Sequence, residues 1–244
     1  MLEKHENNQF YLEELADKKL EEMKELSAVK YALNLILEKL PGKYPSFKVH
    51  FGETLPYHGE AHARDVMHEA ILFALAEGIK DQRDLELLSV AAAFHDSGFI
   101  LEYDNNELLG ADIATGYMKK SGSYSDTEIE RVRQMILSTQ VKFEPEFSQL
   151  VQNKDDILQR ILADADVSNF GRADFAEKAD KVFQELLGIG KIPADTKEHR
   201  ISFNKFREKM IKTHDWNTDG ARSLRNEQKI INLKTLKKFI IDSL

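Results

Sequence analysis

The 244-residue chain is 42% apolar and 31% charged, carries a net charge of −8 and has no cysteine. Disulfides and thiolate metal sites are therefore excluded, and any metal must be held by nitrogen and oxygen. The acidic balance argues against a nucleic-acid polymer as partner, and no apolar run approaches the ~20 residues that span a bilayer.

In chain order, Met1-Leu2-Glu3-Lys4-His5-Glu6 is charged and lacks the apolar stretch of a signal peptide, so a cytoplasmic protein is expected. Leu12, Leu15, Met23, Leu26, Leu33, Ile36, Leu37 and Leu40 fit one face of a long helix over about 8–40, stopped by Pro41-Gly42. Residues 41–57 hold Pro41, Pro45 and Pro56 and read as a loop. Helices are predicted over 59–76 and 83–94, the second delivering His95-Asp96 at its end. Further helices are predicted over 107–120, 125–137, 155–165, 173–187, 198–212 and 219–241, with Ser125 to Glu128 as a capping box. The pattern predicts an all-α assembly in one domain over 1–244, with a motif-bearing core at about 55–185 and C-terminal helices over about 197–244. The N-terminal helix can pack on this core or on a second subunit, and periodicity permits either, including a homodimer.

Three features carry chemistry. Leu87-Leu88-Ser89-Val90-Ala91-Ala92-Ala93-Phe94 is apolar enough to be buried, yet it runs straight into His95-Asp96. Burying an imidazole beside a carboxylate is costly unless something pairs them, and a divalent cation satisfies both. Upstream, His58 and His62 are four apart, so a helix through both would place them on one face. A third apolar segment, Ile161 to Ala165, ends in carboxylates at Asp164 and Asp166. Asp164 fits helix termination and turn formation.

His62, His95-Asp96 and Asp166 together resemble the H…HD…D signature of the HD superfamily of metal-dependent phosphohydrolases. Tyr57-His58-x-x-x-His62-Ala63-x-Asp65-Val66 and Ala165-Asp166-Val167-Ser168-Asn169 are similar to segments of cyclic-nucleotide phosphodiesterase catalytic domains. The resemblance implies an HD-type helical fold in which His62, His95, Asp96 and Asp166 hold a divalent cation, with Asp96 able to bridge to a second ion. It implies His58 as general acid for the leaving oxygen. Glu107 is a candidate for orienting water, or an ordinary first-turn helix Glu. Two neutral imidazoles and two carboxylates balance a 2+ ion, and Mn, Mg, Fe, Ni and Zn are all compatible with the set.

The sequence departs from two-metal relatives where they carry further histidines, reading Asn106-Glu107 and Thr139-Gln140. One tightly held ion is expected. The resulting expectation is an enzyme that hydrolyses a small phosphate ester, a nucleotide or related phosphomonoester or phosphodiester, by metal-activated water. Its alternatives are a slow or inactive metal-bound nucleotide sensor and, further off, an iron oxygenase. Residues 197–238 carry 12 Lys/Arg against 5 Asp/Glu, and Lys205, Arg222 and Arg225 are phosphate-contact candidates there. Phe99, Tyr103 and Phe170 flank the motifs as core fillers or a wall for a base. His68 falls on another face from His62, and His214-Asp215 follows a polar segment, which separates it from the motif.

Overall fold

Helical periodicity is realised throughout the described residues of the computed structural model, which are 2–44, 55–140, 142–143, 150–151 and 155–243. Among them the chain forms ten α-helices: α1 (Leu2–Lys24), α2 (Ser27–Lys43), α3 (Glu60–Ala76), α4 (Gln82–Phe94), α5 (Asn106–Ser121), α6 (Asp126–Leu137), α7 (Ile157–Asp166), α8 (Phe175–Gly188), α9 (Lys197–Thr213) and α10 (Asp219–Ser243). Tight 3-10 turns at Ser97–Ile100 and Ser168–Gly171 follow α4 and α7. The extended structure is one two-residue antiparallel pairing of Lys142–Phe143 with Leu150–Val151. The all-α fold class is as the sequence predicts. Most of the loop expected over 41–57 lies outside the described residues.

The apolar runs dictate the centre. In α4, Leu85, Leu87, Leu88 and every residue from Ser89 to Phe94 are buried, because neighbours cover the helix on all sides. It packs along α3, whose Val66, Met67, Ala70 to Ala74 are buried in turn. The short α7 lies across α3, α6 covers α4, and α5 packs on α6. Each fully buried Leu, Ile or Phe contributes about 1.5–3 kcal/mol. Asp81 caps α4 through the Asp84 N–H at 2.9 Å, and the predicted capping box opens α6, with Ser125 and Glu128 satisfying each other's backbone N–H. No helix among the described residues is long and apolar enough to cross a membrane.

One predicted element is corrected. The single helix over about 8–40 is two, broken at Glu25-Leu26, where Leu26 is extended (φ −61°, ψ 131°). The break lets α1 lay Ala16 and Met23 against α3, while α2 turns to bury Ala28, Val29, Ala32 and Leu33 against α4. A straight helix cannot follow both surfaces. At the far end, α2 runs through Pro41 to Lys43 rather than stopping before it. Proline in a final turn spoils little, because few hydrogen bonds lie beyond it.

Glycines set the approach of α5 to the His95 corner. A Cβ on Gly110 would stand 2.8 Å from the Phe94 carbonyl oxygen and 2.9 Å from that of His95. No larger residue leaves α5 room against the end of α4.

Candidate metal centre

Three elements end at one point. His62 lies in the first turn of α3, His95 and Asp96 directly after α4, and Asp166 is the last residue of α7. Since α3, α4 and α7 pack on one another through apolar faces, the residues at these ends are brought together. His62, His95 and Asp96 are buried and each offers a ligand atom within 4.8 Å of the others. The Nε2 of His95 is 3.1 Å from Asp96 Oδ2 and 3.4 Å from Asp166 Oδ1. His62 Nε2 is 3.5 Å from Asp96 Oδ2 and 3.2 Å from Asp166 Oδ1.

These residues fit a cation. Ligand atoms held ~2.1 Å from one ion stand about 3.0–3.4 Å apart, which is the spacing seen. His95 Nδ1 donates to the Ala92 carbonyl at 2.7 Å, which fixes the tautomer and leaves the Nε2 lone pair facing the carboxylates. His95 Nε2 and Asp96 Oδ2 are both buried without a proper hydrogen bond, although they lie close together. Burial alone would keep His95 neutral, but the nearby Asp96 and Asp166 carboxylates override it and raise its pKa well above the ordinary value. A proton on His95 therefore competes with a cation for the same lone pair.

Loading with Mn²⁺ is expected to raise the melting temperature by about 5–10 °C, since ion at 100-fold its Kd adds about 2.7 kcal/mol and each kcal/mol moves a chain of this size about 2–4 °C. Chelator should reverse the shift, and lower pH should shrink it. Thermal denaturation with and without Mn²⁺ measures this, and an unchanged melting point would exclude a tight site.

His58 is placed differently from the expectation that a helix carries it beside His62. It precedes α3, whose N-cap is Gly59, and reaches the centre from a turn, its ring 5.7 Å from that of His62. Its partner is a residue that the sequence reading did not single out. Glu185, fully buried on α8, accepts from His58 Nδ1, from the backbone N–H groups of Tyr57 (3.1 Å) and His58 (3.0 Å), and from the Tyr103 hydroxyl (2.8 Å). Burial would lower the His58 pKa, yet the Glu185 carboxylate outweighs it, with Asp96 and Asp166 adding to the effect, and raises it to about 9. The only trace in the sequence is a Glu set among Val182, Phe183, Leu186 and Leu187.

Other expected residues divide. Glu107 sits in the first turn of α5, half-buried, and its pKa is raised by burial and by the charges of Asp96 and Asp166. Phe99 stacks on the His58 ring at 4.6 Å and Tyr103 bonds Glu185, so both bear on how that ring is held. Phe170 packs against His214. Of the cationic candidates, Arg225 is tied to buried Glu69 at 2.6 and 2.8 Å, Arg222 to Asp215 and the Trp216 carbonyl, and Lys205 is exposed. Cations nearer the centre include Arg172, which borders a small cleft with His62 and Asp166, and Lys178, which is paired with Asp65. Lys178 and Lys181 border a cavity of about 360 Å³ that reaches His62 and is walled by Leu37, Leu40 and Tyr57. Asp164 turns away from the centre and binds the segment before α10. His68 pairs with Asp17 and Glu69. At the position of the second expected departure, Thr139 folds its hydroxyl back onto the Ile136 carbonyl.

Residues 59–169 match the family model of the HD domain, a span that opens at the N-cap of α3 and closes three residues beyond Asp166. No curated protein matches the chain. HD domains hold divalent metals, and the His62, His95 and Asp96 cluster is one that can do so. The chain carries a domain of the HD superfamily, with its H, HD and D residues converging at the ends of α3, α4 and α7.

Proposed function

We propose that the protein is a metal-dependent phosphohydrolase acting on a small phosphate ester, a nucleotide or a related phosphomonoester or phosphodiester. HD domains are typically metal-dependent hydrolases, which supports the class. The observation that carries the reading is His58 held beside the metal centre through its Nδ1 by the fully buried carboxylate of Glu185.

His62, His95, Asp96 and Asp166 would hold the cation. When bound, it supplies Lewis acidity toward phosphoryl oxygen and acidifies water toward neutrality. The remaining work falls to side chains. His58, with Nδ1 engaged by Glu185, keeps its second proton on Nε2 and delivers it to the departing alkoxide. Phe99 stacked on one face and Glu185 at one edge fix that ring, so the proton is presented from a constant position. Glu107, kept less acidic by burial, orients the attacking water. An acid of this kind serves an alkoxide leaving group more than a phosphate one, which favours esters over anhydrides. The cavity beside His62 is at the lower end of the ~300–1,000 Å³ usual for small-molecule sites. Its apolar wall suits the organic part of such an ester, with Lys178 and Lys181 at its edge for charge.

Mn²⁺-loaded protein is expected to turn over bis(p-nitrophenyl) phosphate or p-nitrophenyl phosphate, to stop on chelation and to resume on adding ion back. Tight nucleotide binding with no turnover of any ester would replace this reading with a sensor. Iron-dependent oxygen uptake would replace it with an oxygenase.

A further inference from the structure

Asp96 divides its two oxygens between different surroundings. Oδ2 faces the imidazoles, 3.1 Å from His95 and 3.5 Å from His62, whereas Oδ1 accepts a hydrogen bond of 3.1 Å from the side-chain amide of Asn106. Both residues are buried, each only 8% exposed. The fold is tightly built at this point. Asn106 is the first residue of α5, and Asn105 ahead of it is the one non-glycine residue with positive φ (65°) among the described residues. A left-handed backbone is unfavourable for most L-residues, with asparagine among the few that tolerate it. Gly98 lies so close that a Cβ there would come within 1.9 Å of the Asn106 carbonyl oxygen. Together with Gly110 one turn into α5, these residues press the amide onto Asp96.

A carboxylate that bridges two cations through both oxygens offers one oxygen to each of them. A donor N–H on the outer oxygen takes one of its two lone pairs and sets the positive end of a dipole on the side from which a second ion would approach. Among the described residues, the cluster able to hold an ion is His62, His95 and Asp96, and Asn106 meets it as a donor to Asp96.

We infer that Asn106 is a positioning residue that closes Asp96 to a second cation and makes the centre mononuclear. This rests on the reading of His62, His95 and Asp96 as metal ligands. It also gives the His58 and Glu185 pair its place: with one cation, charge on the departing oxygen is met by a proton rather than by a second ion.

The test is titration of chelator-stripped protein with Mn²⁺ alone, read by calorimetric stoichiometry and by the electron paramagnetic resonance of the bound ion. The wild type should take one equivalent per chain with the spectrum of an isolated ion. Asn106→Asp, nearly isosteric, and Asn106→His each replace the donor by a ligand and should take two equivalents with magnetically coupled spectra. Asn106→Leu should still take one, about 10- to 100-fold more weakly, because Asp96 is no longer oriented. Two equivalents in the wild type would overturn the inference. So would a single equivalent in both ligand-bearing variants when they melt cooperatively like the wild type. A wild type that takes none would instead overturn the metal centre itself.

Discussion

Glu185→Gln is expected to lower hydrolysis of an alkyl phosphate ester about 10²- to 10⁴-fold at neutral pH, the range a general acid contributes. In the wild type, burial disfavours the charged imidazole, but the Glu185 carboxylate beside it raises the His58 pKa to about 9. An acid must hold its proton, so the reaction persists below that pH and falls as pH rises through it. A neutral amide at 185 leaves the burial penalty in place and removes the largest opposing charge. The basic limb of the kcat profile should therefore move to lower pH. A p-nitrophenolate leaving group, which departs with little need of a proton, should lose far less rate. That difference separates a lost acid from a damaged fold. Stability carries the same sign: the pair stabilises the fold below the ordinary histidine pKa of 6.5, and its contribution disappears as pH passes about 9. Wild type and variant should differ most just below pH 6.5 and converge as pH rises past about 9. An unchanged basic limb in Glu185→Gln would remove His58 from the acid role.

The helices were legible because their signals are local. Apolar spacing, Gly78 and the Ser125 capping box act within a few residues, and α3 to α7 begin and end close to where those signals place them. The break between α1 and α2 has no such signal. No glycine or proline marks Glu25-Leu26, and the apolar period runs on across it; the bend arises because α3 and α4 present surfaces in different directions. The centre divides in the same way. His95-Asp96 announces itself because a polar pair ends a run with no tolerance for one. Glu185 does not, since its partner His58 is 127 residues away and only tertiary packing joins them. The basic region makes a related point. Arg222 and Arg225 stand in a basic region, but Asp215 and Glu69 already neutralise them in the fold. Net charge along a sequence carries no information about which cations are left over.

Asp164 and Asp166 show how little separation in sequence divides an anchor from a ligand, and Asp164→Ala is expected to cost about 3–5 kcal/mol. The two residues sit at the end of the same helix, 3.6-residue periodicity pointing them to different sides. Asp166 faces His62 and His95. Asp164, fully buried, accepts from the backbone N–H of Asn217 at 3.0 and 3.1 Å, its side-chain amide at 2.6 Å, the Thr218 N–H at 2.9 Å and the Thr218 hydroxyl at 2.8 Å. It holds the segment that starts α10 against α7. Alanine leaves those donors without their shared acceptor, and donors to a charged group cost about 1.5–3 kcal/mol each when only partly rehydrated. Asparagine keeps the shape but turns an N–H₂ toward other donors, so Asp164→Asn should recover little. Against a total stability of about 5–15 kcal/mol for a typical domain, the loss is large. Urea unfolding should show it as a lower midpoint at an unchanged slope. The folded fraction should still bind Mn²⁺ as the wild type does, because the ligands are carried by α3, α4 and the other side of α7. Full stability with lost metal binding would exchange the roles assigned to the two aspartates.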